Sequence, residues 1–195
     1  MTDVLKQKSA LRETAVARRR NLADTAGPNA GLRLADHIVA HFSSRPAGVV
    51  SGYLPMSDEI DPLPALARLI QSGWVIAMPV VTGKAEPLVF RQWAEGAALE
   101  AGPLNTYHPL SSVAELTPDV LLVPLLAFDA AGQRIGWGGG FYDRTIAGLR
   151  VEKDIVTLGT AFSGQQVDKV PSASHDEPLD GVITEAGVME IEGPI

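Results

Sequence analysis

The chain contains no cysteine among its 195 residues. That excludes a disulfide framework, a thiolate zinc site and a cysteine nucleophile, and it is what a reducing compartment permits. No run of about 18 apolar residues occurs, so no membrane-spanning helix is expected. The N-terminal MTDVLKQKSALRETAVARRR has no apolar signal-peptide core, which makes a cytoplasmic location the default expectation. Basic residues are in the minority, 16 against 23 acidic, and the net charge of −7 argues against nucleic-acid binding. An anionic ligand must then be held by a local cluster of cations working against the global field. No Pro/Ser/Gly tract, charge block, repeat or low-complexity segment divides the chain, and its length suits one domain over residues 1–195. With 46% hydrophobic residues there is enough apolar material for a three-layer core.

What is present interleaves segments of helical and strand period, the pattern of α/β layers. Val4 to about Asn21 reads as a basic amphipathic helix, with Arg18, Arg19 and Arg20 as a solvated cationic face near its C-terminal end. Lys8 and Arg12 stand one turn apart on one face, where two cations can grip one polyphosphate. A second helix runs to about Phe42. Its His37 and His41 lack a neighbouring carboxylate pattern or Cys to complete a metal site and read as ordinary helix histidines. Gly48 to Leu54 reads as a buried strand, and Asp61-Pro62 as the N-cap and first position of a helix ending near Gly73.

The strand from Trp74 to Met78 then completes a strand–helix–strand unit, which implies a right-handed crossover. Ligands of such sheets sit at the carboxyl ends of strands, here Leu54 to Glu59, although Glu59 alone reads as a helix-leading acid beside Asp61. Pro87–Trp93, Asp119–Pro124, Ile155–Phe162 and Gly181–Thr184 read as further strands, the last followed by a tail. Gly96 to Pro118 is broken by Gly102, Pro103, Pro109 and Pro118 and reads mostly as loop, with Trp93 and Tyr107 as core aromatics in preference to a stacking wall.

The stretch Val123–Arg144, VPLLAFDAAGQRIGWGGGFYDR, concentrates the chemistry. Gly136, Gly138, Gly139 and Gly140 let the backbone take positive φ values and approach a ligand closely. Phe141 onward reads as a helix start, so amides and a helix dipole converge on one spot suited to a phosphate. The familiar nucleotide loops do not match. No glycine pair is followed by Lys-Ser or Lys-Thr, and a GxGxxG beginning at Gly136 meets Phe141 where the last glycine belongs. A glycine-rich turn alone is equally a structural connection. Around it, however, stand Arg134 as a fork-shaped phosphate donor, Asp143 and Asp176 as hard oxygen ligands for Mg²⁺, and Phe141 and Tyr142 as flat surfaces.

The run from Phe128-Asp129 through Gly132-Gln133-Arg134-Ile135-Gly136-Trp137-Gly138-Gly139-Gly140-Phe141-Tyr142-Asp143-Arg144 resembles the signature of the 5-formyltetrahydrofolate cyclo-ligase family. Lys8-Ser9-Ala10-Leu11-Arg12 is similar to that family's N-terminal motif, Met56 to Ile60 to its glutamate-containing substrate loop, and Gln165, Pro171 and His175-Asp176 to its C-terminal motif. The resemblance implies a three-layer α/β/α sandwich with a mostly parallel sheet, related to the ribose-phosphate isomerase and CoA-transferase architecture. It implies ring closure of 5-formyltetrahydrofolate driven by ATP and Mg²⁺, in a monomer or weak homodimer. Position by position, it assigns ATP to Lys8, Ser9, Ala10, Leu11 and Arg12 and to the loop from Arg134 and Ile135 through Tyr142. Folate falls to Leu54, Glu59 and the loop from Trp137 through Gly138, Gly139 and Gly140 to Phe141. Arg134 and Asp143 become the catalytic pair, and Asp143 and Asp176 the Mg²⁺ ligands. Trp137 and Gly139 stand where some relatives carry basic residues. The competing readings are a sugar-phosphate isomerase or acyl-CoA enzyme on a similar sheet, and a non-catalytic nucleotide- or folate-binding regulator.

Overall fold

The computed structural model describes residues 3–191. Its centre is a seven-stranded sheet in the order β11-β10-β9-β6-β1-β2-β3. These are β1 (Val49–Ser51), β2 (Val75–Val80), β3 (Val89–Trp93), β6 (Val120–Pro124), β9 (Val156–Ala161), β10 (Gly181–Thr184) and β11 (Gly187–Glu190). The five inner strands run parallel, as Val50↔Val120 and Val123↔Gly159 show, and β3 and β11 close the two edges antiparallel.

Alternation along the strands sends side chains to two faces, and each face acquires its own core. Val120 and Leu122 of β6, with Val50, Leu158 and Ile183, pack against α2 (Ala30–Phe42) and α3 (Leu63–Gln71). The stripe Leu34, Ala35, Ile38 and Phe42 recurs at helical spacing and is what α2 buries. Leu121 and Val123 face the other way, onto Ile146 and Leu149 of α4 (Phe141–Glu152). The result is an α/β fold with helices on both sides of a mostly parallel sheet.

Strand order reverses at the middle of this sheet. From β1 the chain steps outward to β2, while β6, β9 and β10 build in the opposite direction. The carboxyl ends of β1 and β6 diverge there, which leaves a crevice that neither crossover covers. Helix α1 (Asp3–Thr25) lies along this end, with Leu11, Ala15 and Val16 packed on Leu126, Ala127, Ile135 and Val170. Gln165 fixes the chain leaving β6: its side-chain amide donates to the carbonyls of Leu125 and Leu126 at 2.9 and 3.0 Å, and its oxygen accepts from the Phe162 amide at 2.8 Å.

Two segments differ from the sequence expectation. The supposed loop contains a hairpin, β4 (Leu99–Ala101) and β5 (Tyr107–Pro109), and the breakers Gly102 and Pro103 form its turn. Leu104 and Asn105 take φ of 61° and 59° there, and Tyr107 is 63% exposed, not part of the core. The expected tail supplies β11, whose Met189 pairs with Val182; residues 192–195 lie outside the described ones. At α3 the N-cap is Pro62, one residue later than the expected Asp61, whose carboxylate still accepts from the Leu63 amide at 2.9 Å.

Gly148 lies in the interior of α4 with nothing within 4 Å of where a Cβ would stand. Gly148→Ala is therefore expected to stabilise the protein by about 0.5–1 kcal/mol, by relieving the entropic cost of glycine in a helix. A urea midpoint that fails to rise would contradict this placement.

Candidate active site

A cavity of about 1010 Å³ occupies the crevice at the carboxyl ends of β1 and β6. A small-ligand site spans about 300–1,000 Å³, so this one stands at the upper end of that range. Its wall draws on Lys8 and Arg12 of α1, Leu54 to Ser57 and Glu59 after β1, the whole run from Arg134 to Asp143, and Asp176. The tip of the β4–β5 hairpin, Leu104 to Tyr107, completes the rim.

Helix α1 places its cations by period. Lys8 and Arg12 are one turn apart and both reach the cavity, whereas Ser9 and Ala10 are exposed and Leu11 packs into the core. Of the five expected ATP contacts on this helix, the structure thus brings two side chains to the site. Lys8 Nζ lies 2.6 and 2.5 Å from the two oxygens of Asp176, and Arg12 Nε donates to the Gly136 carbonyl at 2.9 Å. No carboxylate pairs with Arg12 among the described residues.

The glycine loop follows a short ribbon, β7 (Ala127–Phe128) and β8 (Arg134–Ile135), held by Asp129. Its oxygens accept from the amides of Ala131, Gln133 and Val170 at 2.8–3.0 Å, which explains a buried carboxylate with no cationic partner among the described residues. Gly138 takes φ +94°, and a Cβ there would stand 3.1 Å from the Arg12 guanidinium. Gly140 at φ +67° forms the N-cap of α4, and no side chain caps that helix start. The uncapped first turn of α4 therefore sits in the cavity wall as a cradle for an anion.

Arg134 donates to Asp143 Oδ1 at 2.8 Å and to the Glu177 carbonyl, and the Glu177 amide also donates to Asp143 Oδ1 at 3.2 Å. Tyr142 adds a polar handle to the flat surface expected of it. Its hydroxyl is buried without a hydrogen-bond partner among the described residues, and burial, then the charge of Glu59, push the phenol upward, so it stays a proton donor.

Glu59 is not the helix-leading acid its place in the chain implies by itself. Its side chain is 5% exposed, accepts from the Met56 amide at 3.0 Å and meets Arg19 Nη1 at 3.3 Å. Burial raises its carboxyl above the ordinary range, against the pull of Met56 and Arg19. Arg19 overturns the sequence expectation outright: it is 1% exposed, not part of a solvated face. The signal was present in the spacing, since Lys8, Arg12, Ala15 and Arg19 form one stripe at intervals of four, three and four, here turned inward.

Asp143 and Asp176 are the two carboxylates expected to hold Mg²⁺. Each already has a cation, Arg134 and Lys8 respectively, and among the described residues no cluster of three or more His, Cys, Asp or Glu is arranged to bind an ion. Two carboxylates without a third do not make a resident metal centre. As hard oxygen donors in the cavity wall they are of the chemical type that would hold a divalent cation.

Asp58, Asp119 and Asp176 are held below the ordinary 3.8. Burial would raise each, but hydrogen bonds and charge from Arg19, Lys153 and Lys8 outweigh it. A depressed carboxyl stabilises the fold in full above its unfolded value and loses that contribution as pH falls through the folded one. These three pairings are thus expected to make unfolding midpoints in urea drop steeply below about pH 4, with the raised Glu59 carboxyl acting in the opposite direction at higher pH. Midpoints independent of acid would contradict these pairings.

A cation-lined cleft at the switch point of a doubly covered, mostly parallel sheet is the place where α/β enzymes bind their ligands. More specifically, the chain belongs to the 5-formyltetrahydrofolate cyclo-ligase family, whose profile matches residues 4–185. It is 33% identical over 178 residues to the 5-formyltetrahydrofolate cyclo-ligase of Escherichia coli K12, covering 89% of this chain and 97% of that one. The Haemophilus influenzae protein of the same name is 29% identical over 174 residues, covering 85% and 90%. Among solved structures, the 5,10-methenyltetrahydrofolate synthetase of Aquifex aeolicus superposes with a TM-score of 0.73 at 26% identity, covering 96% of this chain and 94% of that one.

Proposed function

We propose that this protein, as a single cyclo-ligase domain in the cytoplasm, converts 5-formyltetrahydrofolate to 5,10-methenyltetrahydrofolate with consumption of ATP. The observation that carries the reading is the convergence, in one cavity, of a glycine cradle at a helix start, three cations and a buried carboxylate. In this reading the two ends bind different substrates. Lys8, Arg12, Arg134 and the loop from Ile135 to Tyr142 take the phosphates and base of ATP. Leu54 and Glu59 take the pterin, with Glu59 accepting from its amino and ring N–H donors.

The chemistry asks for placement and charge neutralisation more than for an acid or a base. The formyl oxygen on N5 attacks the γ-phosphorus, the bond to the bridging oxygen breaks, and ADP leaves. The resulting imidate phosphate is attacked at its formyl carbon by N10. Phosphate departs with the C–O bond electrons, and the N10 proton is lost as the methenyl bridge closes. Mg²⁺ bound to the nucleotide phosphates would neutralise charge on them, with Asp143 and Asp176 as its protein ligands.

The Lys8–Asp176 and Arg134–Asp143 pairs acquire a purpose here. Each keeps a phosphate-seeking cation and a metal-seeking carboxylate mutually satisfied until a metal–nucleotide complex offers both a better partner. Incubation of the purified protein with 5-formyltetrahydrofolate, ATP and Mg²⁺ should yield methenyltetrahydrofolate, ADP and phosphate in equal amounts. Folded protein that forms no methenyl product would refute the proposal, and product without ADP would refute its ATP dependence.

A further inference from the structure

We propose that Arg19 is the positioning residue of this site, fixing Glu59 and the Trp137 wall relative to one another. The inference rests on the reading of Glu59 as the pterin-facing carboxylate. A buried arginine is expensive unless every donor is used, and here the donors are distributed with evident consequence. Nε and Nη2 grip the two oxygens of Asp58 at 3.2 Å each, a fork-to-fork pair. Nη1 divides between Glu59 Oε1 and the Leu125 carbonyl, both at 3.3 Å. The guanidinium carbon lies 5.3 Å from the centre of the Trp137 ring, in cation–π range.

These partners come from three separate segments. Asp58 and Glu59 follow β1, Leu125 follows β6, and Trp137 belongs to the glycine loop. One side chain from α1 therefore ties together both strand ends at the switch point and the loop that closes over them. Trp137 is 57% exposed at the cavity wall, and the Arg19 guanidinium packs against its ring.

The electrostatics of Glu59 give the inference a direction. The groups facing it are Arg19 from α1, Asp58 from its own loop, Tyr53 after β1 and Tyr142 from α4. Only Arg19 among them is a cation. Burial disfavours the Glu59 carboxylate, and Arg19 opposes that effect. Loss of Arg19 must then push the Glu59 carboxyl further up and release its orientation.

The test uses Arg19→Gln and Arg19→Lys in the intact protein, each checked for folding by circular dichroism. Lysine keeps the charge without the fork, and it carries the test if the glutamine variant does not fold. Carboxyl-carbon NMR titration of the unliganded protein, with the Glu59 signal assigned by its loss in Glu59→Gln, should show Glu59 titrating higher by about one pH unit or more in Arg19→Gln. The shift in Arg19→Lys should be smaller and in the same direction. Calorimetric affinity for 5-formyltetrahydrofolate should fall at least about tenfold in either variant, and the same Arg19 substitution should cost far less in a Glu59→Gln background. An unmoved Glu59 titration, or effects that simply add, would overturn the positioning role. If the wild-type protein fails to bind the folate, the proposed function falls, while the titration still decides whether Arg19 governs Glu59.

Discussion

Asp143→Asn is expected to lower methenyl formation by about a thousandfold while leaving the fold intact, the scale seen when one charge-stabilising group is removed from a preorganised site. Asp143 Oδ1 accepts from Arg134 Nη2 and from the Glu177 amide, so it sets the direction of the guanidinium and anchors the segment that carries Asp176. Asparagine preserves the acceptor and the shape but removes the charge. Arg134 keeps its place, and the site loses half of its proposed metal-ligand set. Single-turnover assays at saturating ATP and folate would read the effect on the chemical step, and the melting temperature would report folding. A loss of less than about tenfold would remove Asp143 from the catalytic machinery.

Glu59→Gln is expected to reduce kcat/KM for 5-formyltetrahydrofolate by about a hundredfold, while KM for ATP moves little. A carboxylate accepting from paired N–H donors in a desolvated pocket contributes more than a neutral amide, and the amide must turn one donor toward the ligand's own donors. Glu59 is suited to this because its side chain is nearly fully buried and held by Met56 and Arg19. The separation of the two substrate effects is the informative part. Equal losses for both substrates would show that Glu59 supports the cavity as a whole and does not contact the pterin.

Local chemistry made much of this molecule legible before its structure. The inner strands are short apolar runs, α2 and α3 carry apolar stripes of helical period, and Gly140-Phe141 opens α4 where the glycine run ends. The pairing of Lys8 with Arg12 across one turn likewise needed only helix geometry. What escaped was decided by partners distant in the chain. In Arg18-Arg19-Arg20 only the middle residue continues the Lys8, Arg12 and Ala15 stripe, and its partners Asp58, Glu59 and Leu125, from about forty or more residues away, are what turn that cation inward. The ordinary equation of cations with solvent failed because the inward face of α1 meets the carboxylates of Asp58, Glu59 and Asp176 beside its apolar contacts through Leu11, Ala15 and Val16. Leu99–Ala101 and Tyr107–Pro109 are too short for an alternating pattern, and their breakers turned out to be a hairpin turn. Strand β11 follows β10 so closely that only the vacant sheet edge recruits it.

The reading of the site as a place where a formyl oxygen meets the γ-phosphate of ATP is tested most directly by following that oxygen. With 5-formyltetrahydrofolate isotopically labelled at the formyl oxygen, the phosphate released in a single turnover should carry the label, as mass spectrometry would detect. Labelled phosphate is the result this account predicts; phosphate free of label, formed together with methenyltetrahydrofolate, would contradict it.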